Sequence, residues 1–240
     1  MRPSFNSLHF LFFALACLLV SCDHREDESV FSKTENPANW CVEGVTELRR
    51  GDILVKPNLN IFPGTSFLGG GTSFGHAALV VRGYSHSDPD SLLAHAITVE
   101  SIAKDVPQEY QVREIAALTH HKFDAFNNTN FDKTNTGRRY RLRLNLTEQQ
   151  IDSIVEFALR QKGDFSSWNA MKSLPDAHGK NTNDWADNNC WYCSLLVWQS
   201  VLKVTGLNLD PNGGYTVFPN DLINSPLFNN DGTHIGRARF

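Results

Sequence analysis

Apolar residues run almost unbroken from Cys190 to Val204, with polar residues on both sides. Asn188 or Asn189 can cap a helix start here, and Gly206 can end it. A helix that is apolar on all sides is buried rather than half-wet. Just upstream the period changes. Arg139 to Leu146 alternates polar and apolar, which predicts a half-exposed strand. Thr147 with Gln150 forms a capping box for a helix from about Glu148 to Gln161, closed by Gly163. Its buried stripe is Ile151, Ile154, Val155 and Ala158.

The first half of the chain reads as strands. Gly51-Asp52 is a turn feeding a short apolar strand at Ile53-Leu54-Val55, with Asp52 as a turn residue and nothing more. Gly75 to Val81 is a strand buried on both faces, with His76 at its entrance. After a turn at Ser85 to Pro89, His95 to Glu100 alternates as a second strand. Alternation puts Ala96, Thr98 and Glu100 on one face and Ile97 and Val99 on the other. Antiparallel pairing of these two strands is the simplest connection. Between the elements lie loops. Pro57 to Phe74 carries Gly69-Gly70-Gly71 but lacks the lysine and following helix that phosphate binding needs. Ser101 to Leu118 is mixed and interrupted by Val106-Pro107. Phe123 to Gly137 is polar. Asp164 to Asn189 is irregular, with Trp168 and Trp185 as anchors. Phe218 to Leu222 starts a short turn or helix, and the end is loop or edge strand.

Composition changes this picture little. The chain is 41% hydrophobic and carries a net charge of -4, so it has material for one core and no basic footprint for nucleic acid. The N-terminus changes it more. Arg2 precedes an apolar run, Phe10 to Val20, too short to span a bilayer. The run ends Leu19-Val20-Ser21-Cys22, which resembles the lipobox of bacterial lipoproteins. That resemblance implies a signal peptide over 1–21 and lipid attachment at Cys22. The polar segment 22–40 is then a tether, and 41–240 a single domain in the cell envelope. An ordinary secretory signal is the alternative. The leaflet stays open: Asp23 fits inner-membrane retention, and the acidic run to Glu28 resembles surface-export signals.

Of the five cysteines Cys17 leaves with the signal peptide, and export places the others in an oxidising compartment. With Cys22 lipidated, Cys41, Cys190 and Cys193 remain. A Cys41–Cys190 disulfide leaving Cys193 free is the working expectation; a Cys190–Cys193 pair and three thiols are the alternatives.

A cysteine in the first turn of a buried helix meets the positive end of the helix dipole and its unpaired amides. Both favour thiolate over thiol, and the amides can bind an oxyanion as it forms. Cys193 is therefore a candidate nucleophile. Nucleophilic catalysis also needs a base and a group orienting it. His76 at a strand entrance and Glu100 on the neighbouring strand are the candidates, with His95 as a substitute for Glu100. Each has a plainer reading: an inert buried thiol, a core histidine satisfied by backbone, a surface carboxylate. His120-His121 has no ligand cluster around it and reads as solvated loop rather than a metal site. Trp191 and Trp198 read as core.

Several short motifs occur in order: Leu48-x-x-Gly51-Asp52-Ile53, Gly75-His76-Ala77-Ala78-Leu79-Val80-Val81, Val99-Glu100, Tyr192-Cys193-Ser194-x-Leu196-Val197 and Pro219-x-Asp221-Leu222. The series resembles the circularly permuted NlpC-type hydrolases, the YiiX-like branch of the papain-fold superfamily, over about Leu48 to Leu222. The resemblance implies an α+β, papain-like fold with a small antiparallel sheet packed against helices and the cysteine on a buried helix. It implies hydrolysis or transfer of an acyl group at an amide or ester, through Cys193, His76 and Glu100. Tyr192 would stand beside the oxyanion site. No cofactor and no metal are implied. Small peptides, acyl amides or lipid-like molecules would be substrates, with the lipid anchor as the membrane contact. The chain departs from the family at Leu195, where an acidic residue is common.

Two other classes compete. Cys190-Trp191-Tyr192-Cys193 is a C-x-x-C opening a helix, the pattern of thiol–disulfide oxidoreductases, though such motifs stand early in a βαβ unit. A binding lipoprotein that keeps a papain-like cleft is the other.

Overall fold

Seven strands build the main sheet in the computed structural model, which describes residues 42–57, 74–102, 107–117, 139–167, 170, 190–210, 216–230 and 235–240. These fall within one compact unit, Pro37–Phe240. The signal segment, the tether, Cys22, Cys41, His120, His121, Trp168 and Trp185 lie outside the described residues.

In chain order the elements are β1 (Val42–Glu43), β2 (Glu47–Leu48), β3 (Ile53–Pro57), β4 (Phe74–Arg82), β5 (Tyr84–Ser85), α1 (Pro89–His95), β6 (Ile97–Ser101) and β7 (Val112–Ala116). Then come β8 (Tyr140–Arg143), α2 (Glu148–Arg160), β9 (Phe165–Ser166), β10 (Cys190–Trp191), α3 (Cys193–Thr205), α4 (Pro219–Asn224) and β11 (Gly236–Arg239). The sheet order is β1-β11-β8-β3-β4-β6-β7. Every neighbouring pair is antiparallel except β1 with β11. The class is α+β.

β3 and β4 pair as antiparallel neighbours, with Ile53 opposite Leu79 and Lys56 opposite His76. β6 pairs with β4, and Glu100 faces Arg113 of β7. The register of β4 on β6 slips between Val80 and Arg82. Arg50 donates to the Val81 carbonyl there, at 2.9 Å. Gly83, which follows, is required by close approach. A Cβ on it would stand 2.0 Å from the Leu48 carbonyl oxygen, because β2 pairs with β5 immediately beyond.

α2 carries the expected capping box at Thr147 and Gln150. Ile154, Val155 and Ala158 are buried, joined by Phe157, while Ile151 packs against Gly51. α3 is buried continuously from Cys193 to Leu202 and ends at Gly206 in the left-handed conformation, φ 74°. α2 packs on α3, and both reach β4. A separate cluster gathers Leu92 and Leu93 of α1 with Leu48, Leu54, Val80 and Ala238. α1 interrupts what reads as a turn followed by a strand. Asp88 caps it through the Ser91 amide at 2.8 Å, and Pro89 opens it.

Three expectations are corrected. The Arg139–Leu146 stretch is not half-exposed: all four residues of β8, which lies between β11 and β3, are buried, and Arg143 is paired with Asp52 inside the fold. The chain end is not an edge strand, since β11 lies between β1 and β8. Asp52 is more than a turn residue. It accepts from the Arg49 amide at 2.7 Å, which closes the turn. It also takes Arg143 Nε at 2.6 Å and Nη2 at 2.7 Å in a buried two-pronged ion pair.

Candidate active site

α3 starts later than the helix expected from the caps at Asn188 or Asn189. Cys190 and Trp191 are drawn into β10, which pairs in parallel with Phe165 and Ser166. Tyr192 is the N-cap residue, in extended conformation, and no side chain caps the helix. Cys193 is thus the first helical residue, where the macrodipole and the uncapped amides act most directly. Two bonds fix this junction. The Ser101 hydroxyl, at the end of β6, donates to the Trp191 carbonyl at 2.9 Å. The Tyr192 hydroxyl accepts from the Val217 amide at 2.9 Å. Ser101 escapes notice in the sequence, because one serine at a strand end carries no signal of its own.

Cys193 is 2% exposed, and its sulfur is acted on by His76 and by the Ala77 amide. The His76 side chain is 13% exposed, and its Nε2 stands 3.0 Å from Glu100 Oε2. Glu100 is fully buried, not a surface carboxylate. Its other oxygen, Oε1, accepts from Arg113 Nε at 3.2 Å and Nη2 at 3.1 Å. The three side chains selected from the sequence therefore form one connected row, Cys193–His76–Glu100. Arg113 extends it and was not selected, since it sits in a stretch whose strand pattern is weak.

The electrostatics follow from this row. Burial works against a charged His76, but the Cys193 sulfur and then Glu100 outweigh it and push the imidazole up to about 9. Burial likewise works against a Cys193 thiolate, but His76, the Ala77 amide and Ser194 together bring the thiol below its ordinary value. Both shifts favour the thiolate–imidazolium pair over the neutral thiol and imidazole. Ser194 Oγ lies 4.0 Å from the sulfur and donates to the Val217 carbonyl at 2.7 Å. Burial raises the Tyr192 phenol, so it stays protonated.

The remaining candidates lie elsewhere. His95 ends α1, bonds the Ser91 carbonyl through Nδ1 at 2.8 Å and stacks on Tyr84 at 4.6 Å. It belongs to the opposite end of β6 from Glu100 and does not substitute for it. Cys190 and Cys193 are not joined to each other, and the Cys41–Cys190 pairing falls on Cys41, outside the described residues. Trp191 and Trp198 are fully buried, as core residues. Trp191 bonds Asp164 at 2.9 Å and meets Phe157 edge-on, and Trp198 bonds Asn208 at 2.7 Å. Among the described residues no group of three or more His, Cys, Asp or Glu could hold a metal ion.

No protein-family model and no solved structure matches this chain. It is similar to the uncharacterized protein YycO of Bacillus subtilis (strain 168), 29% identical over 82 residues. The match covers 34% of this chain and 30% of that protein's length.

Proposed function

We propose that the chain is a cysteine hydrolase of the papain-like, circularly permuted NlpC type, held in the cell envelope by a lipid on Cys22. One observation carries the reading: a first-turn helix cysteine has its pKa lowered by a strand histidine, and a buried glutamate bonds that histidine at 3.0 Å. Inert buried thiols need no charged partner, whereas this one sits beside an imidazole that a carboxylate supports from behind.

The chemistry follows from the charges. The Cys193 thiolate attacks the carbonyl carbon of an amide or ester, and the carbonyl electron pair moves onto oxygen. The amides opening α3, that of Cys193 first, stabilise this oxyanion. As it collapses, the bond to the leaving group breaks, and the His76 imidazolium gives that group its proton. The product is a thioester on Cys193. Neutral His76 then takes a proton from water, which attacks the thioester and releases the acid and the sulfur. Glu100 accepts from His76 Nε2 throughout and stabilises the imidazolium. Tyr192 frames the site through its place before Cys193, its hydroxyl being turned to Val217. Cell-wall peptides and N-acyl amides are the substrate classes that suit an envelope enzyme of this kind.

The redox alternative draws less support. Cys190 lies in a strand rather than in the helix, and the Cys193 sulfur is taken up by histidine. An activity-based acylating probe on the mature protein, with the labelled peptide mapped, tests the hydrolase reading. Labelling at Cys193 that His76→Ala abolishes is expected. A Cys193 no more reactive at neutral pH than an ordinary thiol would leave the binding-lipoprotein reading instead.

A further inference from the structure

We infer that Arg113 is a positioning residue of this site: from β7 it keeps Glu100 ionised and turned so that Oε2 faces His76. The inference rests on the hydrolase reading and adds to it a fourth member.

A carboxylate with no exposed surface is costly unless it is paired and hydrogen-bonded. Arg113 meets that need with two donors, Nε and Nη2, both on Oε1. The planar guanidinium fixes the plane of the carboxylate as well as its charge, which a lysine ammonium cannot do. Strand register sets the contact. Glu100 and Arg113 are direct partners in the antiparallel β6–β7 pair, so their Cβ atoms are neighbours whatever the loops do. β7 is the last strand of the sheet, and the Arg113 side chain is 20% exposed. The cation thus keeps part of its hydration while the carboxylate it serves is dry. The charged groups around the row come from four elements: Arg113 of β7 and His76 of β4 at Glu100, and Cys193 of α3 and cross-strand Lys56 of β3 at His76. The guanidinium is a donor only, so both of its bonds to Oε1 require an acceptor oxygen there.

Removing the cation should let Glu100 take a proton at higher pH, and a protonated Glu100 no longer supports the imidazolium. The consequence reaches the sulfur through His76, although Arg113 makes no contact with substrate.

The test is the pH dependence of Cys193 carbamidomethylation by iodoacetamide, read by peptide mapping on the full chain, with a thermal melt by circular dichroism. Arg113→Met should move the acid limb up by about one pH unit or more and slow alkylation near neutral pH roughly ten- to a hundredfold, the scale of groups that orient a functional ligand from behind. Arg113→Lys should fall between, since charge is restored without the fork. In a Glu100→Gln background, Arg113→Met should shift nothing further. A folded Arg113→Met with the parent's pH profile overturns the inference, and so does an equal shift in the Glu100→Gln background. If Arg113→Met does not fold, Arg113→Lys decides: an unchanged profile overturns the inference, and a partial shift supports it. Ordinary thiol reactivity in the parent, unaffected by His76→Ala, would instead remove the hydrolase reading and this inference with it.

Discussion

His76 Nε2 and Glu100 Oε2 meet at 3.0 Å across β4 and β6, two strands hydrogen-bonded to each other. Their meeting is therefore a property of the sheet rather than of any loop. Glu100→Gln preserves the volume and an acceptor oxygen but removes the charge. His76 should then titrate well below about 9, and acylation by a probe should slow by on the order of 10²- to 10⁴-fold. Titration of the His76 ring by NMR checks the first part; unchanged titration would mean that Glu100 supplies packing alone.

The two shifts set a pH window. The competent state needs Cys193 as thiolate and His76 as imidazolium. Cys193 is lowered by its partners and His76 is raised to about 9. Activity should rise through an acid limb below the ordinary thiol range and fall through a basic limb near 9, as His76 loses the proton it owes the leaving group. Both limbs belong to the coupled pair rather than to either residue. A pH–rate profile of acylation whose basic limb lies near neutrality would contradict this assignment.

Cys190 stands three residues from the proposed nucleophile, yet it is a free, half-buried thiol on β10. Cys190→Ser should leave Cys193 labelling within about twofold of the parent, since no step in acyl transfer uses the second sulfur. Loss of all activity in that variant would revive the dithiol chemistry of a C-x-x-C pair.

Asp52 and Arg143 are 91 residues apart in sequence and joined by two short hydrogen bonds inside the fold. Asp52→Ala leaves the buried Arg143 guanidinium only its longer contacts with Glu47, the ion pair at 3.7 Å, and should cost about 3–5 kcal/mol in denaturant unfolding. The double variant Asp52→Ala/Arg143→Met should cost less than the sum of the single changes, because it leaves no uncompensated charge. Additive losses would show that the two side chains do not act as a pair.

The corrections share one cause. The alternation of Arg139, Arg141 and Arg143 with apolar residues reads as a strand wetted on one face, because arginine is normally exposed. No local pattern announces that Asp52, far upstream, neutralises Arg143 in the interior. β7 was illegible for a similar reason. Val112-Arg113-Glu114-Ile115-Ala116 alternates too weakly to stand out, and only pairing with β6 makes it a strand. The start of α3 was misplaced by three residues, because asparagines that cap well in isolation compete with a two-residue strand pairing to β9.

What the sequence determined by itself is what neighbours along the chain can encode. Capping at Thr147 and Gln150, the left-handed stop at Gly206 and the strand character of β3, β4 and β6 are written in residues close along the chain, as is the apolar composition that marks α3 for burial. Tertiary structure alone decided which charges are paired. A buried carboxylate is tolerable only beside a partner, and the partners of Glu100 and Asp52 come from strands brought alongside by sheet order. Charge interacts through space, with no memory of sequence distance, so the protonation of His76 and Cys193 became readable only once the strands and the helix had been assembled.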